Sequence, residues 1–335
     1  MAGIYEADQV AKLAELGDTI FIAESEKTPF SRLLKRGNKP VQMLSEWPVQ
    51  KYPDRAFAGQ LDGTDLASFE HTNRVKISGY AMWMMTAGWM ASRLANLTRT
   101  AGVKGSERAK QAADDALILA QMIEKQLLSD DDTQAESGSD PYTSRAVYSW
   151  LNPSAQATLP VNADFRPSSN CTYTGALASF QPGNMETILQ ACATAKKGAV
   201  DLTEYAGIEL KVQMSGWAQR HVEDVNTAQA LQKYNINISE KKLMRVVDTF
   251  EFDAGVVTVF PSWYMACTRG TGAISAYTPK SGVLLDMDMW ELCFLDQPSS
   301  WVLPPQSGGP RGYHDAVYIL RCHNPLGQGY VLTNT

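Results

Sequence analysis

Apolar residues recur at three- and four-residue spacing across Lys104–Leu128. Ala109, Ala112, Ala113, Ala116, Leu117, Ala120, Ile123 and Leu127 make the stripe, and Lys110, Asp114, Gln121 and Lys125 take the other side. That period predicts a helix with one buried face. At 1.5 Å per residue it spans about 37 Å. Ser106 is placed to cap its first turn. Asn184–Lys197 predicts a second helix, with Met185, Ile188, Leu189 and Cys192 on one stripe and Gly198 as the stop. Ser215–Tyr234 also has a helical pattern. The start of the chain, Met1–Phe30, reads as a short helical arm, with Val10, Leu13 and Leu16 set against Lys12 and Glu15. Pro29 biases Thr28 away from helix. Ser31–Arg36 reads as a short piece stopped by Gly37-Asn38.

A different period marks the strands. Val41, Met43, Trp47, Val49 and Tyr52 predict one, interrupted by Pro48 and Pro53, so it belongs at a sheet edge. Val75 and Ile77 alternate with Arg74, Lys76 and Ser78 inside a second, His71–Thr86. Polar, glycine-containing residues 54–70 lie between them. Together they predict an extended hairpin with a polar tip. An isolated hairpin is marginal in water, so packing must come from outside it. Further strands are predicted at Ile208–Met214, Lys242–Phe252, Val256–Trp263, Leu284–Leu295 and Ala316–Cys322. Ser129–Asp140 has no apolar side chain larger than alanine and reads as a solvated loop. Residues 150–183 read as irregular structure, and Pro298–Gly312 as a Pro/Gly-rich loop. The mixture is α+β.

Composition narrows the class. The chain has 335 residues, 44% hydrophobic and 20% charged, which excludes bulk disorder and allows one large or two moderate domains. No uncharged apolar run of about 18 residues predicts a membrane helix, and residues 1–28 lack the pattern of a secretory signal. Five cysteines, Cys171, Cys192, Cys267, Cys293 and Cys322, lack CxxC spacing and point to reduced thiols. The net charge of −6 argues against tight nucleic-acid binding by the whole chain. The densest basic run is Lys27, Arg32, Lys35, Arg36 and Lys39, near Phe30 and Trp47. It fits either stacking on a single strand or, in better accord with the lack of a nucleic-acid motif, an arm docking on an acidic neighbour.

Catalytic chemistry finds little support. Asp286 and Asp288 alternate with Met287 and Met289, as a strand with one wet face would have them, and two carboxylates are few for a hard cation. His314, Cys322 and His323 match no zinc spacing. His221 precedes Val222-Glu223-Asp224 without a His-Glu-x-x-His motif. No Gly-x-Ser-x-Gly elbow, Walker loop or dinucleotide fingerprint occurs. No metal, cofactor or catalytic residue is called for.

The order of elements resembles the major capsid (major head) proteins of tailed bacteriophages, with the Hong Kong 97-like fold. Thr28-Pro-Phe-Ser-Arg-Leu-Leu-Lys-Arg-Gly37 is similar to the opening of the podophage and siphophage branch. Glu46-Trp47-Pro-Val resembles its strand entering the hairpin, and Arg74-Val-Lys-Ile-Ser-Gly79 its returning strand. Ala109–Leu128 followed by Arg145-Ala-Val-Tyr-Ser-Trp150 resembles its long helix and aromatic segment. Phe250-Glu-Phe-Asp-Ala-Gly255-Val-Val-Thr-Val-Phe, ending in Pro261, resembles a late β-hairpin. The match covers about three quarters of the chain, with 151–183 fitting poorly.

The resemblance implies an N-terminal arm at 1–38 and an extended loop at 39–86. A peripheral domain at 87–183 would hold the spine helix 104–128, an axial domain would fill most of 184–300, and 301–335 would return to the peripheral domain. It implies a structural protein of the virion, not an enzyme, assembling as hexamers and pentamers of an icosahedral shell in the cytoplasm of a bacterial host. A separate scaffolding protein, a portal protein and double-stranded DNA held by weak nonspecific contact are the implied partners, with no membrane. Inter-subunit contacts are expected from Phe30, Arg32, Lys35, Arg36, Trp47, Tyr52, Arg55, Phe57, Phe69, Arg74 and Lys76. An encapsulin-like compartment shell is an alternative, and a cytosolic hydrolase using Asp286, Asp288 or His314 a more remote one.

Overall fold

The computed structural model describes residues 28–52, 59, 61–65, 72, 74–97, 106–217, 235–237, 242–244, 248–265, 280–306 and 309–333. In chain order the first elements are α1 (Pro29–Leu33), β1 (Lys35–Arg36), β2 (Leu44–Gln50), β3 (Arg74–Tyr80), β4 (Met82–Met85), β5 (Trp89–Met90) and α2 (Arg93–Leu97). Then come α3 (Glu107–Leu127), α4 (Val147–Leu151), β6 (Thr172–Tyr173), α5 (Pro182–Lys196), β7 (Val200–Ala206) and α6 (Ile208–Trp217). The late part is strand-rich: β8 (Asn235–Asn237), β9 (Lys242–Met244), β10 (Thr249–Phe252), β11 (Gly255–Pro261), β12 (Ser281–Leu285), β13 (Trp290–Gln306), β14 (Gly309–Cys322) and β15 (Gly329–Leu332). The expected helical arm before Thr28, His221, Cys267, and most of Ser215–Tyr234 lie outside the described residues.

The chain divides into two units. The larger comprises 28–84, 120–298 and 316–335. Its main sheet has the order β10-β11-β7-β12-β15-β6. β7 pairs parallel with β11 and antiparallel with β12. Such a central strand is covered on both faces, so it reads as more apolar than an alternating one. Met185, Ile188, Leu189 and Cys192 of α5 meet Leu202, Val257, Val259 and Val331 of this sheet in one buried cluster. α5 starts at Pro182, which needs no N–H partner there, and Asn184 accepts the backbone N–H of Gln181 at 2.9 Å. It stops one residue before the expected glycine. Lys197 itself takes the left-handed conformation, and Gly198 N–H closes on Ala193 O at 3.1 Å.

Several expected elements change type. Ile208–Met214 is helix, not strand. β7 ends at Ala206, Gly207 N–H goes to Ser281 O, and Lys211 N–H bonds Gly207 O four residues back. Burial follows the four-residue spacing of Leu210 and Met214, leaving Val212 outside. Asp286–Met289 is a 3₁₀ turn, not an alternating strand, because Asp286 Oδ1 accepts the Asp288 N–H at 3.1 Å. The basic piece after Ser31 is also shorter: α1 ends at Leu33, and Lys35–Arg36 pair parallel to Glu291–Leu292 of β13.

The start of the acidic stretch after α3, Ser129–Thr133, is folded down, whereas Gln134 and 136–140 are exposed as expected of a solvated loop. Asp132 accepts N–H groups of Thr133, Ala157 and Thr158, the Ser149 hydroxyl at 3.1 Å and Arg145 Nε at 2.7 Å. Ser129, Thr133 and Arg145 are buried. Runs of Asp and Ser look solvated, but a carboxylate with five donors organises a buried loop. Residues 150–183 are irregular as expected, held as a series of 3₁₀ turns whose first positions are capped by Asn152, Asn162 and Ser168.

The smaller unit includes residues 85–119 and 299–315. Here β13 and β14 form a hairpin where a loop was expected, and β5 pairs with β14 through Met90–Arg311 and Trp89–Gly312. Among the described residues, the side of β13 away from β14 carries only β1, at Glu291–Leu292. α3 begins with the Ser106 hydroxyl accepting the Ala109 N–H at 3.2 Å, as the sequence predicts, and its observed bounds sit within the expected Lys104–Leu128. Its buried face differs: in this unit it is Asp115 and Leu119, whereas Ala109, Ala113, Ala116 and Leu117 face outward. A stripe of alanines has helical period whichever way it faces, so periodicity alone misassigned the side. The last strand, β15, joins β12 in the six-stranded sheet of the larger unit.

Candidate inter-subunit surfaces

In the larger unit, β2 and β3 pair in a continuous register from Leu44–Tyr80 to Gln50–Arg74, with Trp47 opposite Ile77. The root of this hairpin is fastened by Trp47. Its indole N–H donates to Cys322 O at 3.2 Å, its ring lies 5.9 Å from that of Trp150, and the Arg321 guanidinium sits 5.8 Å from its centroid. Among the other described residues of the hairpin, Glu46–Lys76 and Gln50–Arg74 are exposed polar pairs, Lys51 Nζ donates to Asp164 O at 3.4 Å, and Tyr52 and Leu61 are 78% and 85% exposed.

The segment after Thr28 is bound just as firmly. Phe30 and Ser31 N–H groups donate to the Glu124 carboxylate at 2.8 and 2.7 Å. Burial pushes the Glu124 carboxyl pKa up, and those N–H bonds pull it partly back. Next along the chain, Lys35 Nζ meets Asp288 at 2.7 Å and the Arg36 guanidinium lies 5.0 Å over Phe294. The acidic neighbour that receives the basic run is therefore, for Lys35, in the same chain. Lys35 draws the exposed Asp288 carboxyl below its ordinary range. A cavity of about 320 Å³ follows the outer edge of β13 beside Arg36, Lys39 and Asp296.

Two expected contact residues are thereby reassigned. Phe30 is wholly enclosed by its own chain and Trp47 nearly so. A side chain already covered has no area left to offer a neighbour, so both are internal anchors. Arg32, Lys35, Arg36, Tyr52, Arg74 and Lys76 are exposed. Arg55, Phe57 and Phe69 lie outside the described residues.

The residues considered for chemistry have structural duties. Asp286 caps its turn and pairs with Lys196. His314 Nδ1 meets Asp115 at 2.8 Å, and the Thr86 hydroxyl donates to the same carboxylate at 2.6 Å. His323 faces Glu291 at 3.2 Å, and Cys322 is buried, its sulfur facing Gln328. Among the described residues, no three His, Cys, Asp or Glu side chains gather as a metal site.

In the smaller unit the sequence reading passed over a second surface. Met85, Met90, Trp301, Val302 and Leu303 all expose large apolar area. An apolar groove of about 390 Å³ runs between Met85, Met90, Leu303 and Tyr313. Gly312 is required beside it, since a Cβ there would lie 2.3 Å from Trp301 O and 2.7 Å from the Trp89 ring. The signal was present as Trp301-Val302-Leu303 between prolines, but a Pro-rich stretch reads as loop.

A long helix, the β2–β3 hairpin and a six-stranded sheet make an α+β subunit of the kind the resemblance implies. The chain belongs to the SU10 major capsid protein family, whose model matches residues 3–326. No curated protein matches it. Solved phage capsids share its fold. Against a solved structure from Mycobacterium phage Ogopogo the TM-score is 0.60 at 11% identity, covering 99% of this chain and 100% of the other. Against the capsid of cyanophage P-SCSP1u it is 0.59 at 9%, covering 96% and 93%. The capsid of a native GTA particle gives 0.57 at 11%, covering 98% of each. The protein is thus a major capsid protein with the Hong Kong 97-like fold, a structural component of the virion, and the enzyme and compartment alternatives have no support.

Proposed function

We propose that this capsid subunit ties itself to its neighbours through the outer half of the β2–β3 hairpin and the basic segment after α1. The carrying observation is Tyr52 and Leu61, apolar side chains between β2 and β3 left 78% and 85% exposed. A two-stranded ribbon needs a third surface for stability, and in a shell of identical chains that surface is another copy. Arg32, Lys35, Arg36, Tyr52, Arg74 and Lys76 then serve at the contact, with residues 28–38 as arm and 39–86 as extended loop. The unit containing the β13–β14 hairpin corresponds to the peripheral domain, and the six-stranded sheet with α5 and α6 to the axial domain.

Hexamers and pentamers assemble in the bacterial cytoplasm with a separate scaffolding protein and a portal protein. The net charge of −6 suits weak, nonspecific contact with enclosed double-stranded DNA. Expression of the chain with and without its phage's scaffolding gene, followed by negative-stain microscopy, tests this reading. Closed particles of tens of nanometres are expected. A chain that stays monomeric under both conditions overturns it.

A further inference from the structure

Two free thiols meet inside the larger unit. Cys171 ends the 3₁₀ turn Ser169–Cys171, and Cys192 sits on α5. Both are fully enclosed in the cluster that seats α5 on the six-stranded sheet. The Cys192 thiol donates a hydrogen bond to the Cys171 sulfur. Their backbones are fitted against one segment: a Cβ at Gly329 would run into Cys171 O, and one at Gly327 would lie 3.2 Å from Cys192 O. β6, which starts directly after Cys171, is held parallel to β15 at Thr172–Tyr330. The two thiols are therefore brought together by fixed backbone on both sides.

A single buried Cys serves as a small apolar filler. Two in contact can also give up two electrons together. Cys171 follows the exposed residues Ser168, Ser169 and Asn170, so opening of that one turn admits a small oxidant to its sulfur. The donated hydrogen bond draws the Cys171 thiol below its ordinary pKa and pushes the Cys192 thiol above its own, so Cys171 reacts first. A virion component leaves the surroundings that keep thiols reduced. We propose that Cys171 and Cys192 form an oxidation site that closes to a disulfide when the protein meets a peroxide. The Cys171 thiolate attacks one oxygen of hydrogen peroxide, the O–O bond breaks, and the departing hydroxide recovers the proton that Cys171 released. Cys171 is then a sulfenic acid. The Cys192 sulfur attacks the Cys171 sulfur, the S–O bond breaks, and the Cys192 proton leaves with the hydroxide as water. Two thiols lose two electrons and two protons, and the peroxide becomes two waters. The bond ties the turn before β6 to α5 and closes the chain from 171 to 192, which raises resistance to unfolding.

The full-length chain, as particles or as unassembled subunit, is treated with hydrogen peroxide, cleared of it, denatured in N-ethylmaleimide and cut after Glu186. Mass spectrometry is expected to find the Cys171 and Cys192 fragments joined, lighter by two hydrogens and separated by dithiothreitol. The denaturant midpoint is expected to rise on oxidation and to fall back on reduction. Cys171→Ser and Cys192→Ser should each abolish the joined fragment and the rise. Where such a variant does not fold, the wild-type fragments decide alone. Both cysteines alkylated after peroxide overturn the proposal. So does Cys171 found only as sulfinic or sulfonic acid, and so does either cysteine paired with a third. The unassembled subunit gives the same reading, so the outcome does not depend on assembly.

Discussion

The Glu124 carboxylate receives the backbone N–H groups of Phe30 at 2.8 Å and Ser31 at 2.7 Å, so residues 94 and 93 positions apart in sequence are joined by one side chain. Phe30 in turn stands edge-on to Tyr205, with ring centroids 4.9 Å apart and 78° between planes. The basic segment therefore departs from a fixed origin on its own subunit.

Replacing that carboxylate should release the origin. Glu124→Ala removes two charge-assisted bonds and strands two N–H groups, one of them buried. A loss of about 2–4 kcal/mol is expected. Denaturant unfolding of the unassembled subunit measures it, and amide exchange at Phe30 and Ser31 should accelerate.

Glu204 should make stability depend on pH. It sits on β7, fully buried, with neither carboxylate oxygen hydrogen-bonded. Burial raises its pKa from 4.5 to about 8, against a smaller opposing pull from Lys211. Between those values the unfolded chain has released the proton and the folded chain keeps it. Stability therefore falls as pH rises from about 4.5 to about 8 and levels off beyond. Glu204→Gln should flatten that slope and gain on the order of 2–4 kcal/mol at pH 8. Denaturation midpoints at pH 5, 7 and 9 check this. Parallel slopes in both proteins would exclude Glu204 as the source.

Arg145 and Asp132 should behave as a buried pair. Arg145 is 1% exposed, its charge balanced by Asp132 and by Trp150, whose ring centroid is 4.7 Å away. Asp132→Ala leaves that guanidinium buried and is expected to destabilise by about 3–5 kcal/mol. By contrast, Glu46 and Lys76 meet at 2.9 Å on the exposed hairpin. A double-mutant cycle there should give less than about 1 kcal/mol.

Trp47→Phe should loosen the root of the hairpin. It keeps most of the apolar area but loses the donor to Cys322 O. About 1 kcal/mol is expected in the unfolding of the subunit. Proteolysis between Gln50 and Arg74 should increase in the unassembled protein.

Elements with a strong period of their own were legible without coordinates. α3 with its Ser106 cap, α5 with its four-residue stripe and the β2–β3 pair follow from local spacing, because those periods are properties of the backbone. Elements whose identity depends on a distant partner were not. Ile208–Met214 carries an alternation compatible with a strand, but lies in helix α6, with Leu210 and Met214 buried four residues apart. The Pro-rich 298–306 became strand because it pairs with β14.

By itself the sequence determined the long helix, α5, the β2–β3 pair and the resemblance to a shell protein. Tertiary structure alone decided which of the singled-out residues remain outside. Phe30 and Trp47 carry the same aromatic signal as Trp301 and Tyr52, but the first two are enclosed by Tyr205, Trp150 and Cys322 while the last two are not. Burial is a property of what the chain brings together from far apart, and no local pattern encodes it.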